Sequence, residues 1–258
     1  MTKRVLIVGG VAGGASAAAR LRRLDETAEI VVFDRGPYVS FANCGLPYHV
    51  GNVIPDEKKL LLVSSDLFKG RFDIDVRTEH EAISVDAAGR TLRVRNLKTG
   101  VETDEPYDEL VLAPGAAPIR PALPGLDLPG VFVVRTIPDT RRIRSWLDEH
   151  EGAEAVVVGG GFIGLEMAEN LVHRKAKVTL LEKLDQVMPP LDPEMAAPLA
   201  RHLRAQGLTL RLGEGLTGIT QSGNRLAVST DRGASLTTDL VILALGVRPE
   251  TGLAKSAG

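Results

Sequence analysis

The stretch AEAVVVGGGFIGLEMAENLVHR, residues 153–174, joins a short apolar run to a cluster of glycines and a helix-forming segment. The apolar run has the length and β-branched content of a buried parallel strand. The glycines at 159, 161 and 164 have the G-x-G-x-x-G spacing of a dinucleotide-binding turn. A second apolar run, KVTLLE, ends at Glu182, 18 residues beyond Gly164. Strand, glycine turn, helix, strand and acid in this order predict a βαβ unit.

The order of these elements also predicts what the unit binds. A strand that leads through glycines into a helix points free backbone N–H groups and the positive end of the helix dipole at a pyrophosphate. The acid that ends the second strand accepts hydrogen bonds from a ribose hydroxyl. A lone glycine pattern would be weak evidence, whereas the whole series indicates dinucleotide binding.

Residues 3–34 show the same order with one departure. KRVLIVGG is typical of a strand, VAGGASAAARLRRL of a turn and helix, and EIVVFD of a second strand. Val11 stands at the middle position, between Gly9 and Gly14, where the strict pattern has glycine. The two residues after it are small enough to let a pyrophosphate approach, and Asp34 ends the second strand. A second dinucleotide site is therefore predicted in this part of the chain.

Each copy is closed by a further apolar run with a glycine turn, YDELVLAPGAAP at 107–118 and TTDLVILALGVRP at 237–249. The sequence thus predicts an α/β fold of two Rossmann-like βαβ domains, each with a small antiparallel β meander. We expect the antiparallel strands of the first meander at 74–86 and 90–97, and the second meander within 210–236.

The repeat sets the predicted domain boundaries. The first domain, with the cysteine, is expected at 1–150 and the second at 151–250, with residues 251–258 as a tail. A helix at 137–152, ending at Gly152, would lead into the second domain.

Composition excludes several classes of protein. The formal net charge is −2 and there is no basic block, so a nucleic-acid partner is not expected. The apolar start is too short for a membrane span. One cysteine cannot form an intrachain disulfide, which favours a reducing, cytoplasmic environment. His150, His173 and His202 have no cysteine or carboxylate at metal-ligand spacing, and no metal site is predicted.

The single cysteine, Cys44, lies in SFANCGLPY, residues 40–48. With two dinucleotide sites beside it, the chain resembles the flavoprotein disulfide reductases with two dinucleotide folds. The resemblance covers about residues 3–250 and implies FAD at the first site and NAD(P)H at the second. Most of those enzymes carry a cysteine pair here. The lone thiol is similar to that of the coenzyme A-disulfide reductases and the related persulfide reductases.

The resemblance implies two sets of cofactor residues, with residues 1–150 as an incomplete FAD-binding domain. For FAD they are Gly9, Val11, Ala12, Gly13, Gly14, Asp34, Arg35, Asn43, His80, Ala113 and Gly115. For NAD(P)H they are Gly159, Gly161, Phe162, Ile163, Gly164, Glu166, Glu182, Lys183 and Gly246. Because the Glu182 carboxylate would repel a 2′-phosphate, NADH is favoured over NADPH, although the neighbouring lysine would soften that preference.

Cys44 is the predicted catalytic residue. A helix is expected to begin at or just after it, with Pro47 in the first turn, and a helix N-terminus favours a thiolate. The resemblance implies that NAD(P)H reduces FAD and that the flavin reduces a disulfide between Cys44 and coenzyme A. Coenzyme A would take the place of a second cysteine. The implied coenzyme A contacts are Ser16, Arg20, Arg23, Ser40, Asn43 and Arg71.

Alternatives remain at this point. Arg20 and Arg23, with Arg22 between them, are also compatible with a solvated basic face. An NADH oxidase of the same fold is a second reading, although that branch has histidine at the position of Ala12. A nucleotide-binding module without catalysis is a third. Relatives continue into a second FAD segment and a dimerisation domain, so we expect this chain to be part of a longer, homodimeric protein.

Overall fold

A computed structural model describes residues 2–258, within which the following elements lie. In chain order, the α-helices are α1 (Ala12–Leu24), α2 (Leu46–Val50), α3 (Ser65–Phe72), α4 (Ile137–Glu149), α5 (Phe162–His173), α6 (Pro193–Ala205) and α7 (Gly252–Ser256). The strands are β1 (Arg4–Val8), β2 (Glu29–Asp34), β3 (Ile74–Thr78), β4 (His80–Asp86), β5 (Thr91–Asn96), β6 (Glu102–Pro106), β7 (Glu109–Leu112), β8 (Ala116–Pro118), β9 (Val131–Phe132), β10 (Glu154–Val158), β11 (Lys177–Glu182), β12 (Thr209–Leu212), β13 (Leu216–Ser222), β14 (Arg225–Thr230), β15 (Ser235–Thr238), β16 (Leu240–Leu243) and β17 (Val247–Pro249).

The chain folds into two units. Unit 1 runs to Ala42 and includes Lys58–Ala117 and Pro249–Gly258, and unit 2 comprises Asn43–Glu57 and Pro118–Arg248. The segment that carries the cysteine thus belongs to unit 2, although the predicted boundary at residue 150 assigned it to the first domain. Which functional domain it serves remains a prediction.

Unit 1 has a parallel sheet in the order β3-β2-β1-β7 and an antiparallel sheet in the order β4-β5-β6. The alternation of side chains along β1 separates two layers of core. Val5 and Ile7 face a cluster that includes Ala18 of α1 and Phe68 of α3. Leu6 and its neighbours on the same face pack against Leu92 and Val94 of the antiparallel sheet. The parallel sheet is therefore buried on both faces, as its continuous apolar strands predict.

Unit 2 repeats this arrangement with a parallel sheet in the order β12-β11-β10-β16-β9 and an antiparallel sheet in the order β13-β14-β15. On one face, Ala155 and Val157 pack with Met167 and Leu171 of α5. On the other face, β10 packs with the antiparallel sheet, including Val228 of β14. Core positions of β1 and α1 therefore correspond to those of β10 and α5 at a spacing of 150 residues, as do the glycine turns that follow β1 and β10.

The α/β class and the two Rossmann-like units with small antiparallel sheets are confirmed. Two strand predictions were wrong. β3 and β12 were expected among antiparallel strands, but β3 pairs in parallel with β2, and β12 with β11. Both strands have mixed polarity and lie at a sheet edge, so periodicity alone could not separate them from the meander that follows.

The helix predicted at 137–152 is α4, which ends at Glu149. It begins at a capping box between Thr136 and Asp139, a signal that is visible in the sequence. Gly152, expected at the helix end, adopts φ +71° in the turn that follows. Within residues 2–258, no helix is long and apolar enough to cross a membrane.

Leu171 tests the packing of α5 on the unit 2 sheet. It is fully buried, so Leu171→Ala should lower the free energy of unfolding by about 2–5 kcal/mol. Leu24, which is 68% exposed at the end of α1, provides the matched control. Leu24→Ala should change stability by no more than about 0.5 kcal/mol in denaturant titrations. Equal losses in the two variants would contradict the assigned core.

Candidate functional site

The outer glycines of the first turn are required by close backbone approach. Gly9 has φ +95°, and a Cβ there would lie 2.0 Å from the carbonyl oxygen of Ala113. A Cβ on Gly14 would lie 1.7 Å from the carbonyl oxygen of Gly9. These distances exclude any side chain, so β1, α1 and the turn after β7 meet through glycine alone.

The second turn repeats the same contacts. Gly159 has φ +110°, and a Cβ there would lie 2.3 Å from the carbonyl oxygen of Ala244. A Cβ on Gly164 would lie 1.9 Å from the carbonyl oxygen of Gly159. The glycine turns that close the copies correspond as well, since Gly115 and Gly246 have φ +78° and +96°. The sequence repeat is therefore a repeat of backbone geometry.

The middle position of the turn has a different role. A Cβ on Gly161 would have no heavy atom within 4 Å, so the protein itself does not require glycine there. In unit 1 this position is Val11, followed by exposed Ala12 and Gly13. Neither α1 nor α5 has a side-chain cap or an acid in its first turn. This open cradle with uncapped N–H groups fits a bound pyrophosphate.

The acid at the end of β2 holds the first turn in place. Asp34 Oδ2 accepts from the N–H of Gly10 at 2.7 Å, and Oδ1 accepts from the N–H of Gly36 at 2.7 Å. Arg35, next to this acid, donates to Glu250 Oε1 at 2.8 Å. The carboxylate thus lies directly beside the glycine turn, where the sequence predicted a ribose-binding acid.

Glu182 has the same position in unit 2. Its Oε2 accepts from the N–H of Gly160 at 2.6 Å and its Oε1 from the N–H of Leu184 at 2.8 Å. An ionised carboxylate has about four acceptor sites, so Glu182 retains capacity for ribose hydroxyls. Lys183 is exposed beside it. The carboxylate therefore holds the glycine turn in place and can still accept hydrogen bonds from a nucleotide.

A further element of the repeat lies six residues beyond each acid and was not predicted. Ser40 and Met188 both adopt a left-handed conformation, with φ +47° and +50°. The N–H of Ser40 donates to the carbonyl of Gly10 at 2.8 Å, and that of Met188 donates to the carbonyl of Gly160 at 2.7 Å. Because neither residue is glycine or asparagine, the left-handed backbone could not be predicted from the sequence.

The imidazole of His80, an expected FAD contact, makes local bonds. Its Nδ1 lies 2.7 Å from the carbonyl oxygen of Thr78, and its Nε2 lies 3.1 Å from the side-chain nitrogen of Asn96. The ring also packs at a tilt against Phe33. These contacts fix the side chain within the sheet layers and leave a backbone contact as its predicted role.

The predicted coenzyme A residues of α1 form one exposed face. Ser16, Arg20 and Arg23 are spaced so that they share a side of the helix, and all three are exposed. Arg22 is separate from them, because its guanidinium donates to the carbonyls of Phe72 at 2.8 Å and of the following residue at 2.9 Å. It therefore caps α3 and does not belong to a solvated basic face.

Two further predicted coenzyme A contacts, Arg71 and Ser40, lie in unit 1, and their role remains a prediction. Arg71 on α3 is exposed, with its guanidinium carbon 5.6 Å from the ring centroid of Phe72. Ser40 is partly exposed.

Cys44 lies in a 3₁₀ turn, Asn43–Gly45, that leads directly into α2, whose first turn contains Pro47. Its thiol is exposed and free. Beside it, Asn43 Oδ1 is the one buried side-chain N or O atom among residues 2–258 that lacks a hydrogen-bond partner. An unpaired buried acceptor is costly and therefore calls for an explanation. A donor from a bound ligand, next to the thiol of Cys44, would satisfy it.

The end of α2 is anchored to α4 and α5 by three side chains that the sequence did not single out. Arg144 of α4 donates to the carbonyl of His49. His173 Nδ1 lies 2.8 Å from the carbonyl oxygen of Gly51, and Arg174 donates to that of Val50 at 3.1 Å. These bonds satisfy the last carbonyls of α2, the helix that follows the cysteine. They link positions more than 90 residues apart, so no local motif reveals them.

The residues around the second turn have mixed environments. Phe162 is exposed at the start of α5, whereas Ile163 is partly buried against the core. Glu166 is partly buried, and burial raises the pKa of its carboxyl, as does the charge of Glu169. Perturbed carboxyls of this kind are common at functional sites. No group of His, Cys, Asp and Glu side chains within residues 2–258 could hold a metal ion.

Comparisons with known proteins agree with this geometry. The family model described as pyridine nucleotide-disulphide oxidoreductase matches residues 3–258. The chain belongs to this family. It is 34% identical over 255 residues to the coenzyme A disulfide reductase of Staphylococcus haemolyticus, covering 99% of this chain and 56% of that protein.

Solved structures give the same picture. The reduced Bacillus anthracis CoADR-RHD has a TM-score of 0.96 and 44% identity, with 100% of this chain and 46% of that one covered. The NAD-dependent persulfide reductase from A. fulgidus has a TM-score of 0.94 and 36% identity, with 99% of this chain and 47% of that one covered. The water-forming NADH oxidase from Lactobacillus brevis, bound to NADH, has a TM-score of 0.92 and 30% identity, with 98% of this chain and 56% of that one covered. The chain thus spans about half the length of these relatives.

The two kinds of glycine in the second turn can be separated experimentally. Gly164→Ala should destabilise the protein by about 1–3 kcal/mol, because the added carbon meets a backbone oxygen. Gly161→Ala should leave the free energy of unfolding within about 0.5 kcal/mol of the original but weaken NADH binding, because its methyl group enters the open cradle. Thermal unfolding and NADH titration measure the two effects. A Gly161→Ala variant that binds NADH normally would contradict the predicted site.

Proposed function

We propose that this member of the pyridine nucleotide-disulphide oxidoreductase family, in its full-length form, reduces coenzyme A disulfide or coenzyme A persulfide with NAD(P)H, FAD and Cys44. The observation that carries the proposal is that the exposed Cys44 is the only cysteine of the 258 residues. A thiol that cycles through a disulfide needs a partner, and this chain supplies none. We therefore propose a small-molecule thiol as the partner, which the names of the relatives, coenzyme A disulfide reductase and NAD-dependent persulfide reductase, support.

Two bound cofactors would supply the hydride transfer, from NAD(P)H to FAD. The chain's own residues would bind and orient them. The uncapped first turns of α1 and α5 would hold the pyrophosphates, and the carboxylates of Asp34 and Glu182 would accept from the ribose hydroxyls. Phe162 and Glu166 would lie at the nicotinamide side of the second site.

Cys44 would carry the covalent chemistry. Its thiolate attacks one sulfur of coenzyme A disulfide, forming a Cys44–S–S–CoA bond as the sulfur–sulfur bond of the substrate breaks and one CoA thiolate leaves. Two electrons, originating in one hydride from NAD(P)H, then reduce this mixed disulfide to the Cys44 thiolate and a second CoA thiolate. With a persulfide, the first leaving group is a hydrosulfide ion instead.

The exposed face formed by Ser16, Arg20 and Arg23 would hold the phosphates of coenzyme A, since guanidinium groups bind phosphate oxygens in pairs. Ser40, Asn43 and Arg71 are the further proposed contacts. The unpaired Oδ1 of Asn43 supports its place in this set.

The remaining properties belong to the full-length protein. We propose that it acts in the cytoplasm, where a single free thiol remains reduced, and that it is a homodimer. Its relatives are about twice as long as this chain.

A water-forming NADH oxidase is the second candidate, because one such enzyme is similar in structure. It would use NADH and FAD in the same way but transfer electrons to oxygen. The residue at position 12, alanine here, weighs against it. A nucleotide-binding module without catalysis would not require the exposed cysteine.

Formation of the coenzyme A adduct tests the proposal directly. After incubation with coenzyme A disulfide, intact mass should increase by one coenzyme A moiety, and dithiothreitol should remove it. In the 258-residue chain, Cys44→Ser should gain nothing, because these residues contain no other cysteine. A wild-type protein that retains its original mass would exclude the mixed disulfide.

The preference for NADH is a separate prediction. Glu182→Gln removes the charge that repels a 2′-phosphate, so the ratio of the NADPH to the NADH dissociation constant should fall about tenfold or more. Lys183→Gln, which removes the neighbouring positive charge, should raise that ratio. Fluorescence titration with each nucleotide measures both effects. An unchanged ratio in Glu182→Gln would contradict the proposed role of this carboxylate.

A further inference from the structure

A buried carboxylate lies beside the loop that begins with Glu182, the proposed ribose-binding acid of unit 2. Glu214 follows β12 by two residues, in the sequence Gly-Glu-Gly, and is only 3% exposed. A glutamate is seldom buried to this extent unless donors surround it, because the loss of hydration is costly. The contacts of Glu214 therefore indicate what it supports.

The turn after β12 is bonded to the loop on both sides of the Glu182 side chain. The N–H of Glu214 donates to the carbonyl of Glu182 at 3.0 Å, and the N–H of Gly213 donates to the carbonyl of Leu184 at 2.8 Å. Leu184 in turn donates its N–H to Oε1 of Glu182 at 2.8 Å. The backbone that orients the Glu182 carboxylate thus rests on this turn.

The carboxylate of Glu214 fixes the turn through three hydrogen bonds. It accepts from Nε and Nη2 of Arg211 at 2.8 and 3.0 Å, and from Oγ1 of Thr230 at 2.6 Å. Two parallel bonds from one guanidinium define the orientation of a carboxylate closely. Gly215 adds a bond from its N–H to Asp231 Oδ1 at 2.9 Å. The turn is therefore bonded both to β12 and to the antiparallel sheet.

Unit 1 has the same junction without the carboxylate. Glu79 follows β3 with φ +57°, as Gly213 follows β12 with φ +63°. The N–H of Glu79 donates at 3.0 Å to the carbonyl of Gly36, two residues beyond the acid of β2. The next residue is His80, whose ring bonds the side chain of Asn96 at the end of β5. The position of Glu214 thus serves as a support beside the acid in both units.

We propose that Glu214 is a positioning residue for NAD(P)H, which holds Glu182 in the orientation that accepts the ribose hydroxyls. The inference deepens the proposed function and rests on it, because it names a group that supports the nucleotide-binding acid. Glu214 acts through hydrogen bonds to the loop and is itself too buried to contact the nucleotide. A ligand-binding side chain is held accurately only where its neighbours are themselves fixed by hydrogen bonds and packing.

The test is NADH binding to the 258-residue chain, followed by fluorescence titration. Glu214→Gln should raise the dissociation constant about tenfold, because an amide cannot accept from both the guanidinium and the hydroxyl. Glu154 provides the matched control, since it also accepts from an arginine, Arg225 at 2.6 Å, but lies at the opposite end of the sheet, where β10 begins. Glu154→Gln should bind NADH like the wild type. Unchanged affinity in Glu214→Gln would overturn the inference.

A double-mutant cycle separates positioning of Glu182 from a general effect on the fold. If Glu214 acts through Glu182, Glu214→Gln should change the dissociation constant by less than about twofold in a Glu182→Gln background. The same tenfold loss in both backgrounds would show an effect independent of Glu182, and would overturn the inference.

Thr230 covers the case in which Glu214→Gln does not fold. Thr230→Val removes the hydroxyl that donates to Glu214 and should weaken NADH binding, whereas Thr230→Ser retains that donor and should bind like the wild type. Equal affinities in these two variants would contradict the proposed role. A failure confined to these variants leaves the proposed reaction intact. A wild-type chain that binds no NADH would instead exclude the proposed nicotinamide site, and the inference with it.

Discussion

The close approach of the first glycine in each turn to a carbonyl just beyond the closing strand is the constraint on which both proposed nucleotide sites depend. At Gly9 and Gly159 there is no room for a Cβ beside the carbonyl oxygens of Ala113 and Ala244. This contact sets the position at which the chain turns from the strand into the helix. The carboxylate at the end of the second strand and the left-handed residue beyond it are then both bonded to the same short turn. The proposed nucleotide sites thus rest on a backbone arrangement that the fold itself requires.

The glycines of the second turn are needed for different reasons, although all of them belong to the same sequence pattern. Gly164 is required by the fold, and Gly161 faces open space. The departure at Val11 in the first unit is consistent with this difference. The middle position is the one that internal packing leaves unconstrained, so its residue is free to match the ligand.

Much of the fold was predictable because its elements follow from patterns of residues that are close together in the sequence. Apolar strands, glycine spacing and a terminal acid identified both βαβ units, and Pro47 correctly indicated a helix after Cys44. The edge strands β3 and β12 were misassigned because alternating polarity does not distinguish parallel edge pairing from a meander. The anchoring of α2 by Arg144, His173 and Arg174 was not predictable, because those contacts join residues that are distant in sequence. These contacts join α2, the helix that follows the cysteine, to other elements of unit 2.

The central claim is that electrons from NAD(P)H pass through Cys44 to a coenzyme A disulfide. The most direct measurement is the anaerobic stoichiometry of the full-length protein, with NADH oxidation followed by absorbance and thiol release by a chromogenic disulfide reagent. The account predicts two coenzyme A thiols for each NADH oxidised and no turnover in Cys44→Ser. NADH oxidation that requires oxygen and releases no thiol would contradict it and favour the oxidase.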